Sequence, residues 1–167
     1  MSEILEFGIK RENEERRDGG CSVVFDPESQ RYAVYTNLKN DRWGLYGGGF
    51  DEGEDEMEGS LRELVEESGL FDFGYIEKID KVITHYFNTN KEVNRVAHAS
   101  CFLVILNSTK QRPPQLEEHE KFELTWVTDE DLLKKLESVN QEKDYDHWIY
   151  FINKAKGRLK ELGHLIL

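Results

Sequence analysis

The sequence is short of cysteine, of long apolar runs and of net positive charge, and each shortage removes a class of protein. Only Cys21 and Cys101 occur in 167 residues, both inside apolar, strand-like runs. A disulfide-stapled scaffold is thereby excluded, and two buried thiols in a reducing compartment are the expectation. No stretch approaches the ~18 consecutive apolar residues of a membrane-spanning helix, so no membrane partner is expected. Met1 to Glu6 has neither the basic segment nor the apolar core of a secretory signal, and the expected location is cytoplasmic. Lys and Arg number 22 against 34 Asp and Glu, a formal net charge of −12. An extended nucleic acid needs a basic stripe to replace phosphate counterions, and none is visible. No internal repeat, low-complexity tract or linker interrupts the chain. Its length suits one domain over residues 1–167 with a sizeable core.

The strand signals come in a regular order. Cys21 to Phe25 and Arg31 to Thr36 read as a hairpin around Asp26-Pro27-Glu28-Ser29, a turn-forming composition. Lys78 to Phe87, Ala97 to Leu106 and Phe122 to Val127 read as three more strands, with Asn88-Thr89-Asn90 as a turn. Residues 10–20 are charged and read as a loop or a weak edge. Asp129 is the expected cap of a helix from Glu130 to Leu136. From Asp146 onward, Trp148, Ile152, Ala155, Leu159 and Leu162 repeat at spacings of 4 and 3, giving one apolar stripe on a helix. Core packing is the first expectation for that stripe and a homodimer seam the second. Strands on either side of a helix, with further helices at the end, predict a mixed sheet covered on both faces.

The chemically informative stretch is Gly48 to Leu70. Glu63, Glu66 and Glu67 stand at i, i+3 and i+4, which places three carboxylates on one side of a helix. Such a group repels itself unless a positive charge sits among it, and a hard divalent cation with oxygen ligands suits it. Asp55 is the expected N-cap, Glu56 and Glu58 match the positive end of the helix dipole, and Gly69 suits a left-handed C-terminal position. Met57, Leu61, Leu64 and Val65 form the expected apolar stripe, opposite the three glutamates. Arg62 can orient Glu66 as an i, i+4 pair. A solvated glutamate face is the ordinary alternative for such a helix. Against it stand Gly47, Gly48, Gly49 and Gly53, read as a glycine-rich turn in which the backbone bends and comes close to a ligand.

These residues resemble the Nudix box, Gly-x5-Glu-x7-Arg-Glu-U-x-Glu-Glu-x-Gly-U with U apolar. Gly48, Glu54, Arg62, Glu63, Leu64, Glu66, Glu67, Gly69 and Leu70 fill all its fixed positions within 23 residues. Tyr46 departs from the proline that family members often carry before the glycines. The resemblance implies an α/β/α sandwich with a mixed sheet and a metal-dependent hydrolase of phosphoanhydrides. It implies Glu63, Glu66, Glu67 and the Gly48 carbonyl as ligands of Mg²⁺, with Mn²⁺ as the substitute. Glu63 is the alternative group to orient or deprotonate water, and Glu54 and Arg62 support the loop. It also implies a further carboxylate before a Trp-containing strand. Of Glu117, Glu118, Glu120 and Glu123 ahead of Trp126, Glu120 ranks first and Glu118 second, while His119 reads as a surface residue.

Tyr86 lies 16 residues beyond Leu70, where the resemblance associates a tyrosine with dinucleoside polyphosphate hydrolases. A diadenosine tetraphosphate-like substrate is therefore the first expectation. A nucleoside triphosphate or an RNA 5′ end is the second, the latter disfavoured by the acidic charge. Arg95 and Lys81, then Lys91 and Arg42, are candidate phosphate contacts. Phe87 and Trp43 are candidates to stack a base, with core packing the first reading for Trp43. The expected partner is a small nucleotide, on a monomer or homodimer. A non-catalytic nucleotide-binding module, or an interaction role through the last helix, is the alternative from another class.

Overall fold

The computed structural model describes residues 3–164. Two short strands, β1 (Glu6–Phe7) and β2 (Glu15–Arg16), precede β3 (Gly19–Asp26) and β4 (Arg31–Asn37). Asp26 closes the turn of that hairpin by accepting hydrogen bonds from the Glu28 and Ser29 amides and the Ser29 hydroxyl. β5 (Trp43–Gly44) and β6 (Tyr46–Gly49) lead into α1 (Glu56–Ser68). Then come β7 (Phe73–Asn88) and β8 (Val93–Leu106), a long antiparallel hairpin, and β9 (Phe122–Val127), α2 (Asp129–Val139) and α3 (Asp146–Glu161). The sheet order is β1-β7-β8-β3-β4-β5, with β2 on β8, β6 on β3 and β9 on β4. β3 runs parallel to β8 but antiparallel to β4 and β6, so the sheet is mixed, as expected.

Alternation along the strands divides the core into two layers. Val23, Phe25, Leu103 and Ile105 point to one face, where Leu132 and Leu136 of α2 and Phe151, Ile152, Ala155 and Leu159 of α3 cover them. Val24, Val104 and Leu106 point to the other face, against Leu64 of α1. The stripe of α3 thus packs on this chain's own sheet, with Trp148 and Leu162 at its margins. Cys21 and Cys101 are register partners on β3 and β8, both free and buried. Among the described residues no helix is long and apolar enough to cross a membrane.

Three local expectations are corrected. Thr128, not Asp129, caps α2, because its hydroxyl reaches the Asp131 amide. Met57 is 42% exposed, and the buried side of α1 is formed by Gly59, Ser60, Leu64, Glu67 and Ser68. Glu67 therefore shares the face of Leu64 instead of lying opposite it. The third concerns the glycines: Gly47, Gly48 and Gly49 form a strand on Gly19 to Cys21, not a turn. Only Gly53 of that group has a left-handed φ, 74°.

Asp55 caps α1 through the Glu58 amide, and Gly69 ends it at φ 80°. The carbonyls left over at a helix C-terminus need donors. The segment 107–121 supplies them: the amides of Arg112 and Gln115 and the side chain of Gln111 donate to Gly69, Glu66 and Ser68. A Cβ on Gly69 would sit 2.0 Å from the Arg112 carbonyl oxygen, on a backbone that L-residues avoid. Gly69→Ala is expected to lower unfolding free energy by about 2 kcal/mol or more, read as a lower denaturant midpoint at unchanged slope.

Candidate active site

The glycine strand exists so that α1 can come down on it. A Cβ on Gly20 would meet the Ser60 hydroxyl at 2.1 Å, and one on Gly48 would lie 2.7 Å from the Glu63 carboxyl carbon. One residue back, the Gly47 amide donates to Glu67 Oε1 at 3.0 Å. Helix spacing and strand spacing thus bring Glu63 and Glu67 against consecutive glycines. Gly19 adds to the cradle, because a Cβ there would sit 2.4 Å from the Gly48 carbonyl oxygen and cover it.

Arg62 is the local counter-charge. Its Nε and Nη2 donate to both oxygens of Glu54 at 2.8 and 3.1 Å, and its Nη1 lies 3.2 Å from both Glu66 and Glu63. Glu54 also accepts the Asp51 amide at 2.9 Å. The paired guanidinium, with that amide, holds the Glu54 carboxyl down at about 2. The loop Asp51 to Asp55 is thereby tied to the helix.

Among the described residues Glu67 has no such partner. It is 6% exposed, and burial, then the hydrogen bond and charge of the nearby Glu120 carboxyl, push it up to about 10. Burial also raises Glu63, opposed by Arg62 and assisted by Glu66 and Glu120. Glu120 arrives from the segment stapled to the end of α1, its own Oε1 accepting the Glu117 amide at 2.9 Å. The one guanidinium of this helix, already committed to Glu54, reaches Glu63 and Glu66 but not Glu67. Among the described residues no three side chains are closed into a ligand cage; Glu67 and Glu120 share a hydrogen bond instead. Carboxylate oxygens with an uncovered carbonyl form a hard donor set, and a divalent cation entering it would replace the proton that burial keeps on Glu67. The residues therefore fit such a cation.

The cluster opens into a cleft of about 1380 Å³. Glu63, Glu67, Glu120 and Gly48 line it, as do Tyr86 and Arg95. Arg42, Lys91, Trp43 and Phe87 reach it as well, Trp43 also packing against the core and holding Lys135 over its ring at 4.9 Å. Glu118 and Glu123 are exposed and are not part of the wall. Lys81, expected to contact phosphate, is a correction. By strand alternation it points away from Thr84 and Tyr86, and its amine pairs with Glu56 at 2.8 Å, outside the cleft. Sequence reasoning missed Arg17, Tyr35 and Phe122, which also line the cleft. Tyr35 and Phe122 stack with centroids 4.0 Å apart across β4 and β9. Isolated residues on separate strands leave no spacing signal that could have marked them.

Comparison with known proteins agrees with this geometry. The sequence matches the NUDIX domain family model over residues 16–149. No curated protein matches. Among solved structures, an Ap4A hydrolase binary complex from C. elegans superposes with a TM-score of 0.63 at 17% identity, covering 87% of this chain and 98% of that one. The NUDIX domain of NrtR from Shewanella oneidensis, complexed with ADP ribose, gives 0.59 at 19%, covering 95% and 90%. A NUDIX hydrolase from Listeria monocytogenes gives 0.63 at 21%, covering 86% and 94%. At these identities the likeness establishes the fold.

Proposed function

This chain belongs to the NUDIX domain family and, with its box intact, is a hydrolase; on that premise we propose that it cleaves a phosphoanhydride of a nucleoside polyphosphate, diadenosine tetraphosphate-like substrates first, with Mg²⁺. The observation that carries the reading is the buried Glu67 on the Gly47 amide, with Glu63 and Glu120 beside it and no cation of its own. Glu66, Glu67 and the Gly48 carbonyl would hold the metal, with Glu63 or Glu120 completing the set. When bound, a divalent cation neutralises phosphate oxygens and makes water a better nucleophile. Glu63, half-buried against Gly48, orients the attacking water and takes its proton. Arg62 and Glu54 hold the loop and helix in register, so that the carboxylates keep their places through the reaction. Addition of one water across P–O–P gives two phosphorylated products, each leaving with its own nucleoside where the substrate carries two.

The dinucleotide preference is supported by the size of the cleft, which exceeds the ~300–1,000 Å³ of ordinary small-molecule sites. Aromatic rings from separate elements, Tyr35 with Phe122 and Tyr86 with Phe87, line it. The test is a product-resolved hydrolysis screen with Mg²⁺ and a chelator control. Its panel is diadenosine tetraphosphate, ADP-ribose, nucleoside triphosphates and 5′-triphosphate RNA. ATP and AMP as the products of the preferred substrate are the expected result. Preference for ADP-ribose or for a triphosphate would overturn the dinucleotide reading while leaving the carboxylate site in place.

A further inference from the structure

Resting on that reading of the cleft, we propose that Arg17 and Arg95, with the Tyr86 phenol, form a second anion site that holds a phosphate other than the one attacked. The site makes the enzyme count phosphates: substrates too short to span from the carboxylates to the two guanidiniums bind poorly.

Arg17 is fixed where a ligand would need it. It follows β2 directly, and its amide donates to the Val96 carbonyl at 3.0 Å. The guanidinium lies on Gly49: a Cβ there would be 2.4 Å from Nε, 2.6 Å from Nη2 and 2.7 Å from Cζ. Its Nη1 donates to the Phe50 carbonyl at 2.9 Å. Gly49 is the neighbour of Gly48, which abuts Glu63, and successive strand residues face opposite sides, so the guanidinium lies across β6 from Glu63 while both line the same cleft. Its sequence neighbours are paired, Arg16 with Asp18 and Arg11 with Glu142 and Asp144. Among the described residues Arg17 has no carboxylate partner, in a chain that carries twelve more acids than bases (34 against 22).

Arg95 is the second cation. It sits directly across β7 and β8 from Tyr86, is 5% exposed, and has a buried Nε with no hydrogen-bond partner. Among the described residues its one carboxylate contact is Glu15, at 3.5 Å and with a side chain 59% exposed. Glu15 belongs to the two-residue β2 and can turn to solvent when an anion arrives. The Tyr86 phenol stands opposite Arg95 across the two strands, in the field of both Arg95 and Arg17. Burying a guanidinium against one loosely held carboxylate is costly unless a fuller set of acceptors comes with the ligand. A phosphate supplies such a set, and the planar fork of arginine matches it in a bidentate way. The repulsive Glu63–Glu67 cluster cannot take a phosphate without a metal, whereas this site can. A polyphosphate chain is thus gripped at two chemically different points.

The test uses Arg17→Gln, because Arg17 is exposed and its loss leaves the core intact; thermal midpoints check the fold. Calorimetric binding with Mg²⁺ present compares AMP with a methylene-bridged ATP analogue. Arg17→Gln is expected to weaken the analogue about tenfold and AMP less than about twofold, and Arg17→Lys to recover part of the loss. In turnover the same variant raises KM about tenfold with kcat within about threefold. A second arm titrates inorganic triphosphate in excess chelator, where no metal contributes. Wild-type binding that Arg17→Gln abolishes supports the anion site even if none of the nucleotides is hydrolysed, an outcome that would refute the functional reading alone. Equal weakening of AMP and the analogue, or no change in either arm, overturns the proposal.

Discussion

Glu67→Gln is expected to lower kcat by about 10³-fold or more, and to do so in a protein that is no less stable than the wild type when metal is removed. The amide is the same size as the acid, its oxygen still accepts from the Gly47 amide, and its nitrogen can donate to Glu120. What it lacks is the anionic form. The pH dependence separates this from a general structural role. Glu67 is raised in the folded protein from 4.5 to about 10, so folding favours its protonated state. Its stabilising contribution is complete below the unfolded value and is lost progressively as pH rises toward the folded one. In chelator, the wild type should therefore lose thermal stability across that interval, and Glu67→Gln should lose less. The midpoint difference between the two proteins, measured at several pH values, should widen in favour of the variant as pH rises. A divalent cation should reverse the order, since it binds the ionised carboxylate of the wild type and has little to bind in the amide.

Gly48→Ala should separate activity from stability in a different way. The added Cβ would lie 2.7 Å from the Glu63 carboxyl carbon and 2.8 Å from its Oε1. The obstructed atoms are the free end of a flexible side chain, so Glu63 moves and the backbone stays. Gly48 has no left-handed φ, and alanine is compatible with a strand there. Stability is expected to change by less than about 1 kcal/mol. The displaced carboxylate should cost about 10²-fold in kcat, because catalysis is sensitive to misplacement on the ångström scale. If the loss runs through Glu63, Gly48→Ala should add little in a Glu63→Ala background. Full additivity of the two losses in that double-mutant cycle would show that Gly48 acts by another route.

The legible part of this chain was the part in which chemistry forces residues into one helical spacing. Glu63, Glu66 and Glu67, the Asp55 cap and the Gly69 terminus could all be read because they lie in one continuous segment. Glu120 could be ranked only by its place before Trp126. Its proximity to Glu67 depends on segment 107–121 satisfying the carbonyls of α1, a tertiary event with no local signature. The sequence predicts a turn at these glycines because glycine is commonest where backbones bend. Here they are flat so that a helix and a guanidinium can lie on either side of the strand. Lys81 and Arg17 show the same limit from opposite sides. Both are single cations near strands, and face and register alone decide that Lys81 goes to Glu56 and Arg17 to the cleft. Met57 fits the helical period but stands exposed in the first turn of α1.

The central claim is that the carboxylates around Glu67 hold a divalent cation, and Mn²⁺ binding followed by electron paramagnetic resonance addresses it most directly. Wild type and Glu67→Gln would be titrated at pH 6.5 and 8.5. The account predicts that the wild type binds more tightly at the higher pH, because the metal competes with the proton on Glu67, and that Glu67→Gln binds at least about tenfold more weakly with little pH dependence. Equal affinity in the two proteins at both pH values would contradict it, and would move the metal, and with it the reaction, away from this cluster.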